Sequence, residues 1–95
     1  MDREAILAMQ IRVMLFAILK DAAGTSAVVL ELPEGATAGD VRVPLIERYP
    51  LLAQYIPRVA FAVNQTYASI DAKLNGGDEV ALIPPVSGGG DVYAK

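Results

Sequence analysis

The sequence predicts an α+β domain in which a mixed sheet of four to five strands is covered by one main helix. Three observations carry that prediction. Apolar residues recur with period two, the spacing of a strand with one buried face, in residues 10–18, 27–32, 58–63, 67–70 and 79–83. One stretch, residues 37–49, instead places Val41, Leu45, Ile46 and Tyr49 at helical spacing. Turn signals separate the segments: Pro33-Glu34-Gly35, Asn64-Gln65 and Asn75-Gly76-Gly77-Asp78. The order of elements is therefore β, β, α, β, β, β. A chain of 95 residues, 54% apolar and 20% charged, suffices for one core and leaves little room for a deep internal pocket.

Residues 1–8 run from charged to apolar ahead of a second methionine, Met9, and read as a loose extension or an alternative start. The domain proper is expected over residues 9–84, and a flexible tail over residues 85–95. In the first strand Ile11, Val13 and Leu15 share one face, while Gln10, Arg12, Met14, Phe16 and Ile18 share the other, which turns from polar to apolar along its length. Residues 20–25 supply loop signals before the second strand. Thr37 with Asp40 three residues on is a variant of the capping box and opens the helix. Pro44 falls in the interior of a helix begun at Thr37, at a cost of ~3 kcal/mol. Either the helix kinks there or its regular part begins at Pro44. Pro50 and Pro57 bracket an apolar connector expected to make a helical turn against the sheet's edge. Val59, Phe61 and Val63 alternate inward in the third strand, and Asn64-Gln65 turns tightly into the fourth.

Composition excludes several kinds of chemistry. Eight basic and eleven acidic residues give a net charge of −3 with no basic stripe, which argues against nucleic acid. The absence of cysteine and histidine removes disulfides, thiolate nucleophiles, imidazole bases and the usual zinc or copper ligands. The longest unbroken apolar run, residues 13–19, is far short of a membrane span, and Asp2, Arg3 and Glu4 spoil a signal peptide, so a cytoplasmic location is expected. Ser87 has no nearby base and stands in no G-x-S-x-G elbow. Asp78 and Glu79 are neighbours whose side chains would point to opposite faces of a strand. Gly88-Gly89-Gly90 lacks the Lys-Ser/Thr of a phosphate loop. No set of side chains is arranged for catalysis, so the chain is not expected to be an enzyme on its own, nor to bind a cofactor or metal.

There remains the main chain at the end of the last strand. Pro84-Pro85 fixes φ and removes two N–H donors, projecting the C-terminal residues away from the body; Val86-Ser87 then leads into glycines. A diglycine can pass through a channel too narrow for any other dipeptide, and a carboxylate at its end needs no side chain to be activated. The plain alternative is a flexible glycine-rich tail. Phe16 and Ile83 are large apolar residues that either pack in the core or dock a partner.

The element order, Val63-Asn64-Gln65, Asn75-Gly76-Gly77-Asp78-Glu79-Val80 and Pro84-Pro85-Val86-Ser87-Gly88-Gly89 together resemble the small, sulfur-carrying subunit of molybdopterin synthase, from about Met9 to Gly89. That family is ubiquitin-like, a β-grasp fold, and includes the thiamine sulfur carrier. The resemblance implies that Gly89 is the reactive terminus, adenylated by an E1-like activating enzyme that uses ATP and then converted to a thiocarboxylate with sulfur from a donor protein. It implies that Val86, Ser87 and Gly88 thread a pocket of the large synthase subunit, which supplies the catalytic lysines, and that Phe16, Tyr67 and Ile83 dock the body there. Gly90-Asp91-Val92-Tyr93-Ala94-Lys95 departs from the pattern, because it makes Gly89 an internal residue. A processing protease is therefore expected, cutting after Gly89 or after Gly90, unless the chain derives from a fusion and never matures. The competing expectations are a thiamine-type carrier, a ubiquitin-like protein modifier and a β-grasp interaction domain with an inert tail.

Overall fold

The structure, a computed structural model, describes residues 8–85. Five strands, β1 (Ala8–Leu15), β2 (Ala27–Pro33), β3 (Ala60–Val63), β4 (Thr66–Ala68) and β5 (Glu79–Ile83), form one sheet in the order β2-β1-β5-β3-β4. The sheet is mixed: β1 runs parallel to β5, and every other neighbouring pair is antiparallel. Two helices lie in the connections, α1 (Ala17–Ala23) between β1 and β2 and α2 (Arg42–Arg48) in the crossover from β2 to β3. No helix among the described residues is long and apolar enough to cross a membrane.

The expected strands are present, with shifted ends. β1 alternates as its sequence demands, burying Met9, Ile11, Val13 and Leu15 against the helices. It stops at Leu15, however, and the residues read as the strand's apolar end and the loop after it wind instead into α1. Ala17 makes the corner at φ 51°, Leu19 is the buried anchor, and Gly24 closes the helix at φ 78° with its N–H on the Lys20 carbonyl at 2.8 Å. A seven-residue helix with one buried side chain leaves almost no periodic signal, which is why strand alternation is the stronger reading of the sequence.

The main helical cover begins as a 3₁₀ turn, Ala38–Val41, and becomes regular at Arg42. The Thr37 N–H donates to Asp40 Oδ2 at 2.8 Å, the reciprocal arm of the expected capping box. Pro44 causes no break. It is the third residue of α2, in the first turn, where no intrahelical acceptor awaits its missing N–H. Two further amides of this helical start are met by main chain from the loop after β4: Ala38 N–H donates to Ala72 O and Gly39 N–H to Ile70 O, both at 2.8 Å. The approach is so close that a Cβ on Gly39 would fall on Ile70 Cγ1 and 3.1 Å from its carbonyl oxygen. The apolar connector forms two 3₁₀ turns, Pro50–Gln54 and Ile56–Arg58, each with proline in its first two positions. Its first turn packs on α1 and α2, and the connector buries Leu52 and Ile56. The clustered core residues, from Ile11 and Leu30 to Leu45 and Leu82, thus lie in one layer between the sheet and its helical cover.

Candidate docking face and carrier arm

The other face of the sheet carries no helix. Its side chains follow from the ladder register: Ala27, Met14, Ala81, Ala62 and Tyr67 are successive cross-strand partners in one row running from β2 to β4. Beyond them, Ile83 pairs with Ala60, and Phe16 follows the Leu15–Leu82 pair. Alanines at positions 60, 62 and 81 make a low floor, with Met14, Phe16, Ile83 and Tyr67 standing around it. Phe16 is 46% exposed and Tyr67 75% exposed, while Ile83 is half-buried. The three expected docking residues therefore share one face. Sequence reasoning missed Met14 as a member of this patch, and it missed the alanines. The available signal was small apolar residues at strand positions whose alternation points away from the core, where polar residues are the usual occupants.

Toward the opposite pole the same face becomes polar, with Arg12 between Val29 and Glu79, and Gln10 opposite Glu31. A shallow, open concavity of about 550 Å³ at that pole is lined by Gln10, Glu34, Lys73 and Asn75 among others. It lies where β1 begins, whereas the apolar patch lies where β1 and β5 end. Because those two strands are parallel, Phe16 and Ile83 leave the sheet on the same side, and Pro84-Pro85 continues from the patch itself.

A hydrogen-bonded clamp sets where β5 begins. Asn64, in the β3–β4 turn, donates from Nδ2 to Asp78 Oδ1 at 3.0 Å and accepts the Glu79 N–H on Oδ1 at 3.0 Å. Asp78 Oδ2 accepts the Asn75 N–H at 2.8 Å, and the Asn64 N–H donates to the Glu79 carbonyl at 2.8 Å. Asn64 and Gln65 have φ of 51° and 72°, as a two-residue hairpin of the primed type requires. Asn64, Asn75 and Asp78, which carry much of the sequence resemblance, therefore perform structural work: they tie two turns together and fix the phase of the strand that launches the arm. Val86, Ser87, Gly88 and Gly89 lie outside the described residues.

A mixed five-stranded sheet with one helix-covered face and an apolar patch at the exit of its last strand defines a ubiquitin-like β-grasp protein. The family model described as the ThiS family matches residues 13–89. A molybdopterin synthase sulfur carrier subunit from Chlamydomonas reinhardtii is 41% identical over 83 residues, covering 85% of this chain and 100% of the relative. The corresponding human protein is 32% identical, with 84% and 94% covered. The crystal structure of SAMP1 from Haloferax volcanii superposes with a TM-score of 0.74 at 30% identity, covering 83% of this chain and 98% of that one. The chain belongs to the ThiS family, with molybdopterin synthase sulfur carrier subunits among its relatives.

Proposed function

We propose that this chain is the sulfur carrier of a molybdopterin synthase, with Gly89 as the carrying residue. The observation that supports this best is the position of the apolar patch. Phe16, Tyr67, Met14 and Ile83 surround an alanine floor at the point where the chain departs toward Gly88-Gly89, so one partner surface can hold the body while its interior receives the arm. Burying the half of Phe16 that is still exposed would contribute on the order of 1 kcal/mol, and the more exposed Tyr67 somewhat more. The partner is the large synthase subunit, which would supply the catalytic side chains.

The chemistry belongs to the main chain. Hydrolysis of the Gly89–Gly90 peptide bond by a protease frees the Gly89 carboxylate and releases residues 90–95; the family match also ends at Gly89. An E1-like enzyme then joins that carboxylate to the α-phosphate of ATP, expelling pyrophosphate. The outer sulfur of a persulfide on a sulfur donor protein attacks the acyl carbon and AMP leaves. A thiol then cleaves the S–S bond of the resulting acyl disulfide, freeing the thiocarboxylate and leaving a disulfide on the donor side. Val86, Ser87 and Gly88 carry it into the large subunit, where its sulfur bonds to the pterin precursor and water cleaves the acyl C–S bond, returning the Gly89 carboxylate. ATP is used by the activating partner, and this chain binds no cofactor of its own.

The test is the intact mass of the protein isolated from its native cells, with sequencing of the C-terminal fragment. A chain ending at Gly89, with one carboxylate oxygen replaced by sulfur, is the expected result. A chain that always retains residues 90–95 would refute it. Similarity to SAMP1 of Haloferax volcanii, described as small archaeal modifier protein 1, favours a second reading in which the same carboxylate is joined to protein amines. Isopeptide-linked conjugates that vanish with Gly88 and Gly89 deleted would establish that reading. Sulfur transfer that survives the same deletion would leave only the interaction-domain reading.

A further inference from the structure

The pairing of β1 with β2 determines which main-chain groups face outward along the β2 edge. The Leu15 N–H bonds to the Ser26 carbonyl at 2.9 Å, so bonded pairs recur at every second residue, and Ala27, Val29, Glu31 and Pro33 turn their N–H and C=O groups away from the sheet. Both ends of this row are closed. The Thr25 hydroxyl donates to the Ala27 carbonyl at 3.1 Å and accepts the Ala27 N–H at 3.4 Å. Pro33 has no N–H, and its carbonyl accepts the Ala36 N–H at 3.1 Å. Between the stops, Val29 and Glu31 present two donors and two acceptors. Among the described residues only the Val29 carbonyl meets a side chain, the Arg48 guanidinium, at a long 3.5 Å.

We propose that this window pairs antiparallel with the same window of a second copy of the chain, across a two-fold axis at Leu30. The closed ends select the register. Setting Val29 opposite the partner's Glu31, and Glu31 opposite the partner's Val29, satisfies all the free groups of both chains. Shifting by two residues would bring in the occupied groups of Ala27 or the missing donor of Pro33. The side chains favour the same register. Arg12 sits on β1 between Val29 and Glu79 and shares their face. Among the described residues the guanidinium hydrogen bonds come from Arg42 and Arg48, and Arg12 makes none. The pairing brings the partner's Glu31 to the far side of Val29, about two strand spacings or roughly 10 Å from Arg12 between Cα atoms. Two long side chains of opposite charge span that gap, twice by symmetry. The contact leaves Phe16, Tyr67 and Ile83 of both copies uncovered. It is small, so the dimer is weak, half-formed at on the order of 1 mM.

Sedimentation equilibrium of the full chain from about 0.05 to about 1 mM tests this. The weight-average mass should climb from 10.1 kDa toward twice that value, and less steeply in high salt. Val29→Pro removes an outward N–H without touching the β1 ladder and should weaken association at least about tenfold. Glu31→Arg should abolish it, and adding Arg12→Glu should restore it; this charge exchange decides the matter should the proline variant fail to fold. A monomer at the highest concentration overturns the proposal. So does association that persists in a folded Val29→Pro, association that Phe16→Asp removes, or a charge exchange that does not rescue.

Discussion

The two faces of the sheet are built from the same strands and obey different rules. On the inner face, cross-strand rows are filled by branched and aromatic residues, such as Val13 with Val80 and Val63, and Leu15 with Leu82 and Phe61. On the outer face the adjacent row runs Met14, Ala81, Ala62, Tyr67. One residue along a strand therefore separates a side chain that holds the fold from one that waits for a partner. The inner face is closed by α1, α2 and the connector; the outer face is as apolar near the exit of β5, yet no helix of the described residues lies on it. A sheet stabilised wholly from one side can give its other side to recognition.

The contrast is sharpest between Leu82 and Tyr67. Leu82 is fully buried between β1 and β3, so Leu82→Ala should cost about 2–5 kcal/mol, read as a lower urea midpoint with an unchanged slope. Tyr67→Ala should leave unfolding within about 0.5 kcal/mol of the parent and weaken binding to the large synthase subunit about tenfold or more. If Tyr67→Ala destabilised the isolated chain as Leu82→Ala does, the two faces would not be separable in this way.

A smaller effect is expected at the clamp, which belongs to neither face. Asn64→Ala removes the bond to Asp78 Oδ1 and the acceptor for the Glu79 N–H, and places alanine at φ 51°. These groups are exposed, so the loss should be about 1–2 kcal/mol in urea unfolding. Asn64→Gly keeps the backbone conformation and loses only the side-chain bonds, so it should fall between the parent and Asn64→Ala. Docking through the outer face should change little in either, provided that β5 keeps its register.

The sequence made the inner face legible because its signal is periodic: alternation gave five strands, and helical spacing gave Val41, Leu45, Ile46 and Tyr49, all buried or partly buried against the core. Of the outer patch, Phe16 and Ile83 were legible as large apolar residues and Tyr67 only through the family resemblance; Met14 and the alanines were missed, because alanine carries no periodic signal and its role depends on which strands become neighbours. Helix α1 was hidden for a related reason. It is short, and the apolar Ile18 that made it look like strand is exposed on it. The seam between residues 36–39 and 70–74 was also invisible, since it is made by main-chain bonds in which side-chain type has little part. Pro44 looked like a helix breaker because the 3₁₀ lead-in could not be told from a regular first turn.

The smallest effect is expected at Ala17, where the two faces meet. Phe16 ends the strand path in an extended conformation, and Ala17 at φ 51° turns the chain out of the sheet and into α1. An alanine there is strained, while Phe16 is left standing on the outer face. Ala17→Gly should therefore raise stability, by about 0.5–1 kcal/mol at most, because the gain from removing the Cβ clash is partly offset by the entropy of a freer unfolded chain. The same freedom should loosen the hold on Phe16, so binding through the outer face should weaken about two- to threefold while the urea midpoint rises. Opposite signs in the two measurements would show that strain at this corner serves to present Phe16. A variant that loses stability and binding together would show instead that the corner is simply part of the packed core.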